Sequence, residues 1–165
     1  MSKKTPNYPE KKTKLVRSKN PIGLWLGGAL IIFGLLAVVN GVVSLTDNKT
    51  RLLAPEGIFT VEVVETNEEK ARGLSNRESI NSDAGMLFVF EKPSVENCFW
   101  MKDMRFSIDM VWLNEQKEVV TVVENVSPGT YPAEFCPSEP AKYGLEVRAG
   151  RANQTVMTLD TKLRF

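Results

Sequence analysis

The chain has 165 residues, 42% hydrophobic and 25% charged, which suits one folded domain with an appendage. It contains no histidine, so imidazole general bases, Ser–His and Cys–His nucleophile pairs and histidine-bearing zinc sites are excluded. The net charge of +1 hides an uneven distribution: residues 1–20 carry seven basic side chains against Glu10, a net of +6, which leaves −5 for the rest. The body of the chain therefore lacks the broad basic face that nucleic-acid binding needs.

Residues 1–20 read as a basic cytoplasmic tail. Pro21 to Leu45 follows, 25 residues without a charge and with Asn40 as the only strongly polar member. About 20 apolar residues cross a bilayer as a helix, so this stretch is expected to be a single transmembrane anchor over 21–45. Pro21 suits the first helical position and Trp25 an interfacial belt. The basic flank puts the N-terminus in the cytoplasm and everything after Leu45 outside. A cleaved signal peptide is the alternative, but the apolar core is longer than such peptides use and no Ala-x-Ala site follows. Gly27, Gly34 and Gly41 recur every seven residues, a stripe through which two copies could pair as a homodimer; glycine is also simply common in membrane helices.

Residues 46–55 read as a short polar linker, and residues 56–165 as the folded module, long enough to bury a modest core. Ile58 to Glu65 alternates as a strand does. Thr66 and Glu69 stand at capping-box spacing, with Gly73 placed to end the helix; Ser75 and Glu78 suggest a second short turn. Gly85 to Phe90 is a buried-strand run. Asn97 to Leu113 holds two of the three tryptophans and is expected to cross the middle of the core, with Ile108, Met110 and Trp112 on one face. Glu118 to Val126 should return as its hairpin partner. Ser127 to Lys142 is a Pro-rich loop, Tyr143 to Val147 a strand, Ala149 to Val156 a helical turn, and Thr161 to Phe165 a last short strand. Many short strands and little helix point to a mainly β fold, a small β-sandwich or barrel with one or two short helices, preceded by the single transmembrane helix.

The order of motifs resembles the DUF192 family: ARGL at Ala71 to Leu74, GMLFVF at Gly85 to Phe90, FWMKDM at Phe99 to Met104, IDMVWL at Ile108 to Leu113 and YGLEVRAG at Tyr143 to Gly150. The resemblance implies a small, jelly-roll-like β domain, often carried behind a signal peptide or anchor, with no established activity. Ser75, where many members have Met, and Asp160-Thr161, in place of a common Gly-Asp turn, depart from the pattern.

Three groups of residues carry chemistry. Cys98 and Cys136 suit one disulfide in an oxidising compartment, which in the chain-entropy model stabilises by about 4 kcal/mol. Two free thiols, or soft sulfur ligation of Cu(I) with Met101, Met104 and Met110, are the alternatives. Lys102, Asp109 and Glu146 lie in or beside apolar strands, where charges usually face solvent or pair with each other. Asp109 and Glu146 could instead act as acid and base in glycoside hydrolysis, with Lys102 setting their charge state. Tyr131, on the Pro-stiffened loop, could join Trp100 as a stacking platform for a sugar ring or peptide, or close the barrel as an aromatic lid.

The favoured expectation is a membrane-anchored extracytoplasmic binding or accessory domain. It would recognise a small envelope-derived molecule or a protein partner through Trp100, Lys102, Asp109, Tyr131 and Glu146, with no cofactor, metal or nucleic acid. The alternatives are a hydrolytic enzyme built on the Asp109/Glu146 carboxylate pair and a purely structural envelope protein.

Overall fold

A computed structural model of the protein describes residues 48–165. The basic tail, the expected anchor over 21–45 with its glycine stripe and homodimer face, and the start of the linker lie outside the described residues. Among those described, no helix is long and apolar enough to cross a membrane.

The strands are β1 (Lys49–Ala54), β2 (Gly57–Val64), β3 (Ala84–Ser94), β4 (Phe99–Trp100), β5 (Ile108–Leu113), β6 (Val119–Val126), β7 (Glu134–Phe135) and β8 (Ala141–Arg148). Two short helices, α1 (Asn67–Arg72) and α2 (Arg151–Gln154), accompany them. Six strands form one mixed sheet in the order β1-β2-β3-β8-β5-β6, and β4 pairs with β7 in a separate two-stranded ribbon. β2 and β3 run parallel, so the chain must cross over between them, and α1 sits in that crossover. The expected hairpin of β5 with β6 forms, with register shifts at both ends.

Three expectations need correction. Lys49–Ala54, read as linker, is an edge strand whose Leu52 faces Phe59 across the β1–β2 pair. Leu52 is its only fully buried residue, too weak an apolar signal for a pattern to catch. A short turn does form, with the Arg77 N–H donating to the Leu74 carbonyl, but the Ser75/Glu78 box does not make it: Ser75 Oγ donates to the Lys102 carbonyl at 2.8 Å, and Glu78 pairs with Arg105. Nor does a barrel close. The edge strands β1 and β6 do not pair with each other; the C-terminal segment instead lies against both, bonding Leu53 through Arg164 and Lys117 through Leu163. These are single bridges, which protect open edges without continuing the ladder.

Alternation along the central strands supplies an apolar layer to each face of the sheet. Val111, Leu113, Leu145 and Val147 join Leu52, Phe59 and Val61 in one core, which α2 and the C-terminal segment cover through Ala152, Met157 and Leu163. Met86, Phe88, Met110 and Trp112 join Phe99, Met101 and Leu74 in the other. Asn97 to Leu113 thus divides, β4 leaving for the ribbon and β5 staying in the sheet. Phe99 brings the ribbon back, stacking on Trp112 at 5.0 Å between ring centroids and meeting Phe88 at 4.7 Å. Trp112 Nε1 donates to the Asn97 carbonyl at 2.7 Å, and Asn97 Nδ2 to the Ala141 carbonyl at 2.8 Å.

Gly144 makes this contact possible, because a Cβ there would lie 2.3 Å from Phe99 Cζ. Gly144→Ala should therefore displace Phe99 and cost about 1–3 kcal/mol, read as a lowered denaturant midpoint.

Candidate functional site

Register determines which side chains share a face. Glu62, Met86, Glu146 and Met110 are successive partners across β2, β3, β8 and β5, so they form one row on the face that carries Phe88 and Trp112. Glu146 therefore rises from the sheet between two methionines that are themselves buried. Its side chain is only 5% exposed, and its Oε2 has no hydrogen-bond partner. Burial pushes the carboxyl up to about 8; the positive charge of Arg77 opposes the shift without cancelling it. Arg77 is itself committed to Glu62 at the end of the row, through two bonds of 2.6 and 2.7 Å, and the pairing raises the guanidinium's own pKa. At neutral pH the Glu146 carboxyl is therefore protonated.

Glu146 lines a cleft of about 330 Å³ between α1 and the ribbon. The α1 side comes from a local sequence signal. Thr66 accepts from the Glu69 N–H, and Glu69 accepts from the Thr66 N–H, the expected capping box. These bonds hold the Glu69 carboxyl below its usual range. The helix ends at Gly73 with φ 49°, a conformation that favours glycine. A Cβ at Gly73 would lie 3.5 Å from Phe88 Cζ and 3.7 Å from Glu146 Oε2, so the bare backbone forms the wall beside the carboxyl. Leu74, Phe88, Phe99, Trp100 and Met104 supply apolar surface; Lys70, Arg72, Glu96 and Glu134 bring charge. Trp100 is 46% exposed.

Of the five residues expected to bind ligand, the cleft brings together Trp100 and Glu146. Lys102 is exposed in the segment between β4 and β5 and does not line it. Tyr131 is 48% exposed, and it too is absent from the lining. Asp109 faces the opposite side of the sheet, because it pairs with Val147 while Glu146 pairs with Met110. The Asp109/Glu146 pair is therefore not assembled, and Asp109 has a structural task. Fully buried, it accepts from the Asn125 N–H and from the Ala152 N–H, both at 2.8 Å. The second bond caps α2, whose own N-cap, Gly150, has no side chain to do so.

Cys98 and Cys136 form a disulfide beside the Phe99–Phe135 pair, tying β4 to β7. Free thiols and the sulfur site for Cu(I) are thus superseded; Met101 and Met110 are core residues. Glu134 lies with the two sulfurs in a group whose ligand atoms fall within 4.8 Å of one another. With those sulfurs bonded to each other, no thiolate is offered to a metal.

Sequence reasoning missed Gly73, Leu74, Phe88 and Met104 as parts of the site. All four lie in recurring motifs (Gly73 and Leu74 in ARGL, Phe88 in GMLFVF, Met104 in FWMKDM), but nothing local shows that parallel pairing of β2 with β3 sets α1 over Glu146.

The DUF192 family model, described as an uncharacterized ACR, matches residues 51–165. A solved structure of a protein of unknown function from Novosphingobium aromaticivorans is similar at 21% identity with a TM-score of 0.66, covering 71% of this chain and 85% of its own. A structure from Sinorhizobium meliloti, provisionally described as a transcription regulator, is similar at 26% identity and a TM-score of 0.66, covering 73% of this chain and 96% of its own. Comparison with the curated proteins finds no match.

Two outcomes follow for stability. Asp109→Ala orphans two backbone N–H groups and should cost about 3 kcal/mol, measured by denaturant titration. Glu146 has the opposite character. Between about pH 4.5 and about 8 its carboxyl is ionised in the unfolded chain and still protonated in the fold, so the folded state binds more protons. Stability should be full below that window and fall across it by on the order of 1 kcal/mol per pH unit. Glu146→Gln should flatten that slope; an unchanged pH profile would contradict the assignment.

Proposed function

The chain belongs to the DUF192 family, and on that footing we propose that it is a membrane-anchored, extracytoplasmic binding module whose cleft takes a small molecule derived from the cell envelope. The observation that carries the binding reading is the Glu146 carboxyl, buried among apolar side chains with one oxygen unpaired, in a cleft with an exposed tryptophan. Native structures tolerate few unpaired buried polar atoms, and a bound partner is one reason to keep such an atom. The membrane half rests on the uncharged span of residues 21–45 behind its basic flank, and on a disulfide of the sort that persists in oxidising compartments. The Sinorhizobium relative's description is not carried over, since the net −5 of residues 21–165 supplies no broad basic face. A hydrolytic reading draws on the same raised carboxyl but would need a base other than Asp109.

The full-length chain should sediment with membranes and resist carbonate extraction, and protease added to spheroplasts should remove the domain of residues 48–165. Recovery as a freely soluble protein overturns the anchor, and protection from protease overturns the orientation. Native mass spectrometry of the detergent-purified chain should show a small-molecule adduct that Trp100→Ala loses; its absence from the unaltered protein overturns the choice of ligand.

A further inference from the structure

We infer that the cleft selects an uncharged molecule, which presents a carbonyl oxygen to the Glu146 carboxyl and an apolar ring to Phe88, Phe99 and Trp100. The inference rests on the binding reading above and specifies what that reading leaves open.

The floor decides the polar half. On either side of Glu146 in its row stand Met86 and Met110, neither of which can hydrogen-bond it strongly. Above it is the bare backbone of Gly73. Its Oε2 has no partner among the described residues, so the protein itself leaves that end of the carboxyl unsatisfied and an occupant of the cleft can supply the missing hydrogen bond. A protonated carboxyl brings an O–H donor, and the complement of a donor is an acceptor oxygen.

The surrounding charges decide the net charge of the occupant. From α1 come Lys70 and Arg72, and from the chain around the ribbon come Glu96 and Glu134. Two positive and two negative groups balance. Lys70 is partly engaged, its Nζ donating to the Val89 carbonyl. Arg77, from the segment after α1, is held by Glu62. Arg72 on the α1 wall is open to an anion, but Glu96 and Glu134 share the same cleft, and the floor beside Glu146 offers no cation that is not already bonded. An ammonium would require Glu146 to ionise between two methionines, against the desolvation that keeps it neutral. An uncharged ligand meets neither cost, and a cleft of about 330 Å³ has room for a six-membered ring with one substituent.

Three probes of one shape separate the cases: benzamide, benzoate and benzylammonium, titrated into full-length protein carrying ¹⁵N-labelled tryptophan. Near pH 6, benzamide should shift the Trp100 indole resonance with an affinity at least about tenfold above the charged probes. Glu146→Leu should lose about tenfold in benzamide affinity, while Glu146→Gln, whose amide still donates, should keep most of it. Near pH 10, benzamide should weaken about tenfold in the unaltered protein, but not in Glu146→Gln. Tighter binding of either charged probe, or a benzamide response indifferent to pH in the unaltered protein, overturns the uncharged-carbonyl class and leaves the cleft a binding site. If none of the three moves the Trp100 resonance at tens of millimolar, the binding reading falls with it.

Discussion

Strands β5 and β8 are covered on both faces, and that circumstance sets the terms for every polar group they carry. All six residues of β5 are buried, as are four consecutive residues of β8, Gly144 to Val147. A carboxyl in such a place must find donors, give up its charge, or destabilise the fold. The two strands meet the requirement in two ways. Asp109 keeps backbone N–H donors for both oxygens, while Glu146 loses its charge.

The contrast shows why similar residues in neighbouring strands have different tasks. Both acids sit in apolar strands, and their strands are adjacent. One residue of register puts Asp109 under α2, where a helix without a side-chain cap supplies an N–H to satisfy. The same register turns Glu146 toward α1 and the ribbon, where Gly73 leaves space and no backbone donor arrives. Asp109 holds the cover of one face in place; Glu146 becomes the one polar feature on the floor of a cleft in the other.

The ribbon depends on the sheet as much as the cleft depends on the ribbon. Two strands of two residues each have no stability of their own. Phe99 against Trp112 and Phe88, the space at Gly144, the Asn97 hydrogen bonds and the disulfide together hold it against the sheet. Trp100, the next residue after Phe99, points its indole away from that packing and into the cleft mouth, following the alternation of a strand.

Much of this was written into short stretches of the chain. The capping box at Thr66 and Glu69, the helix stop at Gly73, the β5–β6 hairpin, the mainly β class and the family motifs all depend on residues within a few positions of one another, where spacing alone carries the physics. Glu146 stands out for the same reason, a charged residue in an apolar strand, whereas the exposure of Trp100, in a stretch expected to cross the core, shows only in the fold. The order of strands, the open edges, the separation of Asp109 from Glu146 and the loss of Lys102 and Tyr131 from the site were decided only in the tertiary structure. Local pattern says which residues of a strand share a face. It cannot say which distant strand lies alongside, and a shift of one residue in that pairing exchanges the two faces.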